Sequence, residues 1–375
     1  MIYLDNAATT RPSDKAKNAF LEACECFANP SSLHRLGLDA EKKVSEAREI
    51  LANALKVSPK SVYFTSGGTE ANNMAILGYC RANKKRGNHI ITSKVEHPSV
   101  LAAFAELEKE GFMVDYIGVD RDGTVDMDML CDVLRDDTLF VSVMAANNEV
   151  GTVMPTEKIK NLIKEKSPKA VFHVDAVQAF GKIPLNPQKW GVDMMSVSAH
   201  KIHGIKGCGA LYTSTERILP LMFGGGQQKD LRSGTENVPG IMAFGAAVSE
   251  IRTDNSDMLE VRMKFREKLA EKITDLKFNG SDEFQTGYVL NVSFKNIKAE
   301  ILLHMLEAKG IYISTGSACS SNKPMPSHVL TAMGCTSGEI GGAVRISFSE
   351  PLSDEEIEKA TDEFKIAVEE IRKYF

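Results

Sequence analysis

No stretch of this chain is apolar for long enough to cross a bilayer. Nothing approaches the ~18 apolar residues that a spanning helix needs, and the longest apolar runs, such as 139–146, read as buried strands. The first residues, MIYLDNAATT, lack the basic stretch and apolar run of a secretory signal. An excess of charge of one sign is also missing. A net charge of -5 and a pI near 6.0 supply no basic field for a nucleic-acid backbone. Pairs such as Lys84 and Lys85 read as solvated surface. Cysteines number seven, an odd count without framework spacing, which argues for free thiols in a reducing cytoplasm. Cys24 and Cys26 lie two apart in a helical stretch with no Cys or His at ligand spacing, so they do not read as a metal or redox pair. There is no internal repeat and no low-complexity segment, and no metal site is expected.

What remains is an ordinary soluble composition, 43% hydrophobic and 25% charged over 375 residues, enough for a sizeable core and more than one domain. Strand and helix patterns alternate through the first two-thirds. Apolar residues recur at helical spacing over 34–55 (Leu36, Ala40, Val44, Ala47, Leu51, Leu55). Residues 62–65 predict a short strand stopped by Gly67-Gly68, with a helix from about Thr69. Further strands are predicted near 89–92, 113–118, 139–144, 171–175 and 193–197. Such alternation predicts an α/β fold with a largely parallel sheet, its ligands at the carboxyl ends of the strands. Past about residue 255 the pattern becomes a charged helix over 258–274, strands near 287–294 and 311–314, a helix over 298–309 and a closing helix from Ser353, which reads as a smaller α+β domain.

Four places carry chemistry. In Thr65-Ser66-Gly67-Gly68-Thr69-Glu70 a strand meets two glycines and a helix start, which suits a phosphate through close backbone approach and unpaired amides, although many such sequences are simple turns. In VFHVD (171–175) a strand delivers Asp175 to the sheet end; it can serve a protonated ring nitrogen or cap a helix predicted next, AVQAFG. In SVSAHK (196–201), Lys201 ends an apolar strand among small and polar residues, the setting of a Schiff-base lysine; Ser198 and His200 offer donors, and Lys206 is a rival in a poorer setting. In GSACSS (316–321), Cys319 lies in a run of small, polar and proline residues that predicts a loop exposing its thiol.

Together these resemble the cysteine desulfurases, in the class V branch of the aspartate-aminotransferase-like, fold-type-I pyridoxal-phosphate (PLP) enzymes. The resemblance covers nearly the whole chain and rests on YLDNAATT (3–10), NPSSLHRLG (29–37), FTSGGTEANN (64–73), EHPSV (96–100), NNEVG (147–151), DAVQAFGK (175–182), SAHKIHGIKGCGALY (198–212), RSGTEN (232–237), GSAC (316–319) and VRISFS (344–349). It implies a large PLP-binding domain over 12–255 and a small domain of 1–11 and 256–375 carrying the catalytic cysteine loop. Lys201 would hold PLP covalently, His97 would stack on its ring and assist proton transfer, and Asp175 would pair with the ring nitrogen. Gln178 and Asn148 would hold the ring's phenolic oxygen. Gly68, Thr69, Ser198 and His200 would bind the phosphate, and Thr235 would reach the phosphate of the other subunit of a homodimer. Arg345 would clamp the carboxylate of L-cysteine, with Asn148 and Asn29 on the substrate side. Cys319 would take the sulfur as a persulfide, releasing L-alanine, and pass it to an acceptor protein, either an iron–sulfur scaffold or a tRNA-thiolation enzyme. The resemblance also leaves room for Cys319 to contact a transient iron–sulfur cluster.

The chain departs from the family at His203 and Ile205, where relatives have Tyr and Pro, and in SSNKPMPSHVL after Cys319. These predict local packing changes and altered partner contacts. Relatives that load iron–sulfur scaffolds often carry a tail beyond the position of Phe375, which keeps tRNA-thiolation enzymes among the expected acceptors. The rival readings are an aminotransferase or selenocysteine lyase of the same class, and a silent PLP-binding interaction protein.

Overall fold

Strands and helices alternate in the computed structural model as the apolar pattern predicts; it describes residues 1–252, 254–315 and 326–374. The strands are β1 (Ile2–Tyr3), β2 (Val62–Thr65), β3 (His89–Ser93), β4 (Met113–Ile117), β5 (Thr138–Ser142), β6 (Val171–Asp175), β7 (Met194–Ser198), β8 (Gly209–Thr213), β9 (Leu276–Asn279), β10 (Val289–Phe294), β11 (Ile311–Tyr312), β12 (Ser314–Thr315) and β13 (Ala343–Ser347). A seven-stranded sheet has the order β2-β8-β7-β6-β5-β3-β4. Its pairs from β4 through β7 are parallel. Its central strands are apolar runs buried on both faces, as helix-covered parallel strands must be.

The sheet is not parallel throughout. The link from Ala199 to Cys208 is shorter than a parallel crossover needs, so β8 returns antiparallel to β7, and β2 then pairs antiparallel to β8. In register, Ser198, Gly209 and Thr65 lie side by side across three strands. A Cβ on Gly209 would meet the Gly67 backbone at 2.7 Å, so only glycine lets the turn after β2 sit against this edge.

The long helix Arg35–Leu55 buries Ala40, Val44, Ala47, Leu51 and Leu55, one face at spacings of three and four, and His34 caps its start by accepting from Gly37 N–H. In the C-terminal part, β12-β13-β10-β9 form an antiparallel sheet. Helix Asp354–Arg372 packs against helix Ser256–Lys272; it opens with a reciprocal Ser353–Glu356 capping box and buries Ile357, Ala360, Phe364, Val368 and Ile371. The chain's first residues join this part: β1 pairs with β11, and Ile2 and Leu4 share a core with Phe265, Phe348 and Phe364. Residues 328–333 belong to the other core, where Val329, Leu330 and Met333 pack with Val150 and Met154.

Two expectations need correction. The strand predicted over 311–314 is two strands in separate sheets, β11 and β12, because Ile313 leaves the ladder between them. The segment AVQAFG after Asp175 forms consecutive turns, not a helix; Gly181, at φ +75°, sits in this turn region where a helix would need negative φ.

Candidate active site

The N-terminal segment stitches the site together. Ser347 N–H donates to the Leu4 carbonyl, Thr10 N–H donates to the His200 carbonyl at 2.9 Å, and between them the chain passes over Lys201. Lys201 Nζ donates to the carbonyls of Ala7 at 2.6 Å and Ala8 at 2.8 Å. Gln178 Nε2 donates to the same Ala7 carbonyl at 2.8 Å, so the lysine and the glutamine amide converge on one point. Asp175 and Lys201 are delivered at and just past the carboxyl ends of adjacent parallel strands, β6 and β7, where such sheets place their ligands.

Asp175 is buried. One carboxylate oxygen accepts from Val177 N–H at 2.9 Å and the other from Asn72 Nδ2 at 2.7 Å, and each retains a lone pair for a further donor. The first bond is the capping contact that the sequence allowed, made without a helix. The second begins a chain: Asn72 Nδ2 also reaches Ser99 Oγ at 2.9 Å, which lies 2.8 Å from His97 Nδ1. His97 caps helix Pro98–Lys109, and its Nδ1 accepts Ser99 N–H at 3.1 Å. An accepting Nδ1 puts the ring proton on Nε2. Burial, opposed by Asp175, lowers the His97 pKa and favours this neutral form.

Next to Lys201 is a cavity of about 430 Å³ lined by Thr9, Ser66, Gly68, Thr69, Ser198 and His200. The first amides of helix Gly68–Asn73 have no intrahelical partner and belong to this lining. Ser198 Oγ is buried and has no hydrogen-bond partner among the described residues. Burial, with the cations Lys201, Lys206 and Lys182, pushes His200 down to about 4, so at neutral pH it is an uncharged donor. Glu70 accepts from Ser66 N–H at 2.7 Å and from Arg232 Nε at 2.8 Å, which ties the turn to the RSGTEN segment. An anion with several acceptor oxygens fits this donor set. A buried Asp able to accept from a ring N–H, and an amine at Lys201, are the further groups that a phosphorylated pyridine aldehyde requires.

Arg345, on β13, is buried at the opposite side. Its guanidinium donates to Asp5 Oδ1 at 2.9 Å and to the Asn148 carbonyl at 3.1 Å, while Nε has no partner among the described residues. Asn148 therefore reaches the site through its main chain. Past residues 316–325, Ser327 Oγ donates to Glu149 Oε2 at 2.5 Å and His328 Nε2 lies 2.9 Å from the Glu96 carbonyl, beside His97. Burial holds Glu149 above the usual carboxylate range.

The structure thus brings together Lys201, His97, Asp175, Gln178, Gly68, Thr69, Ser198, His200, Arg345 and Asn148. It does not bring in Asn29, which is exposed and accepts from Ser31 N–H in a local turn, nor Thr235, which is exposed and does not line the cavity. Cys319 lies outside the described residues. Sequence reasoning passed over Asn72, Ser99, Asp5 and Lys182. All four sit inside motifs already singled out, so position within a motif was the available signal.

The class-V aminotransferase family profile matches residues 2–360. The chain is 42% identical to cysteine desulfurase IscS of Methanosarcina thermophila over 377 aligned positions, 99% of this chain and 93% of that protein. Its fold is similar to a NifS-like protein, with a TM-score of 0.91 and 38% identity over 100% of both chains. It is also similar to SspA in complex with cysteine, with a TM-score of 0.84 and 33% identity over 93% of this chain and 99% of that one. A profile match over most of the chain and this identity across nearly its full length place the chain in the class-V aminotransferase family, on its cysteine desulfurase branch.

Proposed function

We propose that this protein takes sulfur from L-cysteine, releases L-alanine and carries the sulfur as a persulfide on Cys319. The observation that carries this reading is the convergence of Lys201, Gln178, Asp175 and His97 beside a cavity whose serine donor, Ser198, has no hydrogen-bond partner among the described residues. PLP, when bound, supplies an electron sink that labilises bonds at the substrate's α-carbon. Asp175 would hold a proton on the ring nitrogen, and Gln178 would donate to the phenolic oxygen. Gly68, Thr69, Ser198 and His200 would hold the phosphate. Lys201 would anchor the cofactor and then move the α-proton, and His97 would lie against the ring and assist that transfer. Arg345 exchanges Asp5 for the substrate carboxylate, with Asn148 beside it.

Cys319 attacks the substrate sulfur as a thiolate: an S–S bond forms, the C–S bond breaks, and a proton delivered to the carbon completes alanine. On either side of this segment, Thr315 pairs with the strand of Arg345, and Ser327, two residues past its far end, bonds to Glu149. The persulfide passes to an acceptor protein, an iron–sulfur scaffold or a tRNA-thiolation enzyme. The protein works as a cytoplasmic homodimer in which Thr235, exposed on its own chain, serves the partner's phosphate; among the described residues no helix is long and apolar enough to cross a membrane.

The test is alanine and sulfide production from L-cysteine with a reductant, for the wild type and Cys319→Ser. Equal yields from the wild type, both lost in the variant, are expected. Full sulfur release by the variant would remove Cys319 from the mechanism, and amino-group transfer without sulfide would favour an aminotransferase.

A further inference from the structure

Lys182 is a buried cation with no anion. It is 5% exposed, and among the described residues no carboxylate lies within ion-pair reach of it. Its ammonium has one hydrogen-bond acceptor, Gln178 Oε1 at 2.9 Å, and sits 5.6 Å from the centre of the Tyr288 ring. A buried, unpaired ammonium is costly. Burial, with the nearby cations Lys201 and Arg345, pushes it down to about 7. Glu250, Asp254, Asp257 and Glu350 line the cavity that Lys182 shares with Lys201, without pairing with it. An apolar residue would fill the position at less cost, so the charge calls for a role.

The role is visible in what the ammonium touches. A protonated lysine donates and cannot accept. In its protonated form it holds the Gln178 amide oxygen toward itself, while the Ala7 carbonyl draws Nε2 toward Ala7 and the Lys201 side chain, so the two contacts act on opposite ends of one amide. We propose that Lys182 is a positioning residue that holds the Gln178 amide with its N–H group presented at the Lys201 nitrogen's cofactor, and so sets the proton affinity of that nitrogen in the resting holoenzyme. A donor on the ring's phenolic oxygen stabilises its anionic form and lowers the proton affinity of the neighbouring nitrogen. Without Lys182 the amide keeps only the Ala7 carbonyl to orient it, a contact already shared with Lys201, and the donor is presented less often.

The experiment is a pH titration of the visible absorption band of the PLP-loaded protein, for wild type, Lys182→Met, Gln178→Ala and the double variant. Lys182→Met is expected to raise the midpoint by about one pH unit, and to add nothing in the Gln178→Ala background. A shift that persists undiminished in Gln178→Ala would overturn the proposal, since Lys182 would then act by its charge alone. Lys182→Arg keeps a donor-only cation and is expected to hold the wild-type midpoint; a full shift there would also overturn it, whether or not Lys182→Met folds. The inference rests on the reading that Lys201 carries PLP. A wild type with no visible band would overturn that reading, whereas a band that ignores Lys182→Met overturns the role of Lys182 alone.

Discussion

The two sides of the site manage their polar groups in opposite ways. On the cofactor side, polar atoms are left without protein partners: Ser198 Oγ, Asn72 Oδ1 and Glu96 Oε2 are all buried and unsatisfied. On the substrate side, the strongest donor is engaged through its terminal nitrogens, with Arg345 held by Asp5 and the Asn148 carbonyl and only its Nε lacking a partner among the described residues. An orphaned neutral group costs the fold about 1–3 kcal/mol, whereas an orphaned buried guanidinium costs considerably more. The difference teaches why a neutral hydroxyl can stand ready for a resident group while a charge must be masked until its ligand arrives.

Arg345→Ala breaks the substrate side most severely. Steady-state kinetics should show KM for cysteine raised roughly ten- to hundredfold with a smaller fall in kcat. Asp5→Asn sharpens the same point in the other direction, because it removes the internal competitor. KM should fall by roughly threefold while Tm drops, since the guanidinium loses its pair in the resting protein. A raised KM in Asp5→Asn would show that Asp5 orients Arg345 instead of masking it.

Ser198→Ala probes the cofactor side. The hydroxyl has no partner to lose, so the thermal stability of the protein without cofactor should be unchanged or slightly raised. Affinity for PLP, measured by equilibrium titration, should weaken by about tenfold. A matching loss of stability would mean that the hydroxyl is satisfied within the chain.

The smallest effect expected concerns Glu96. Burial pushes its carboxyl from an ordinary 4.5 up to about 8, against bonds from Ser93 Oγ and Met144 N–H that favour ionisation. The folded chain thus keeps a proton that the unfolded chain releases. Its contribution to stability is fully present below the unfolded value and is lost as pH rises through about 8. Glu96→Gln, which keeps the shape without an ionisable proton, should match the wild type in Tm under acidic conditions and exceed it in alkaline ones. Melting curves across that range check the sign; a gap independent of pH would show that Glu96 does not titrate with folding.

Much of this was legible in the residues. The parallel core followed from apolar runs such as TLFVS and VFHVD, because a strand covered on both faces has no polar side to hide. Lys201 and Asp175 were legible because each ends such a run, and a parallel sheet delivers its strand ends to one crevice. The turns after Asp175 were misread because AVQAFG has the composition of a helix, and tertiary contacts overrode it. Gly181 needs a positive φ there, and Gln178 is drawn off to Ala7 and Lys182.

By itself, then, the sequence determined the elements, the motifs and the chemical types at the site, since these depend on local spacing and side-chain identity. Tertiary structure decided which of them meet. The Ser66–Thr69 turn reaches Ser198 and His200 because β8 reverses between β2 and β7, and no local pattern encodes that register. Residues 4–10 close over Lys201 because β1 pairs with β11, some three hundred positions along the chain. The donor-only contact of Lys182 with Gln178, and the masking of Arg345 by Asp5, likewise depend on orientation and distance that only the packed chain supplies.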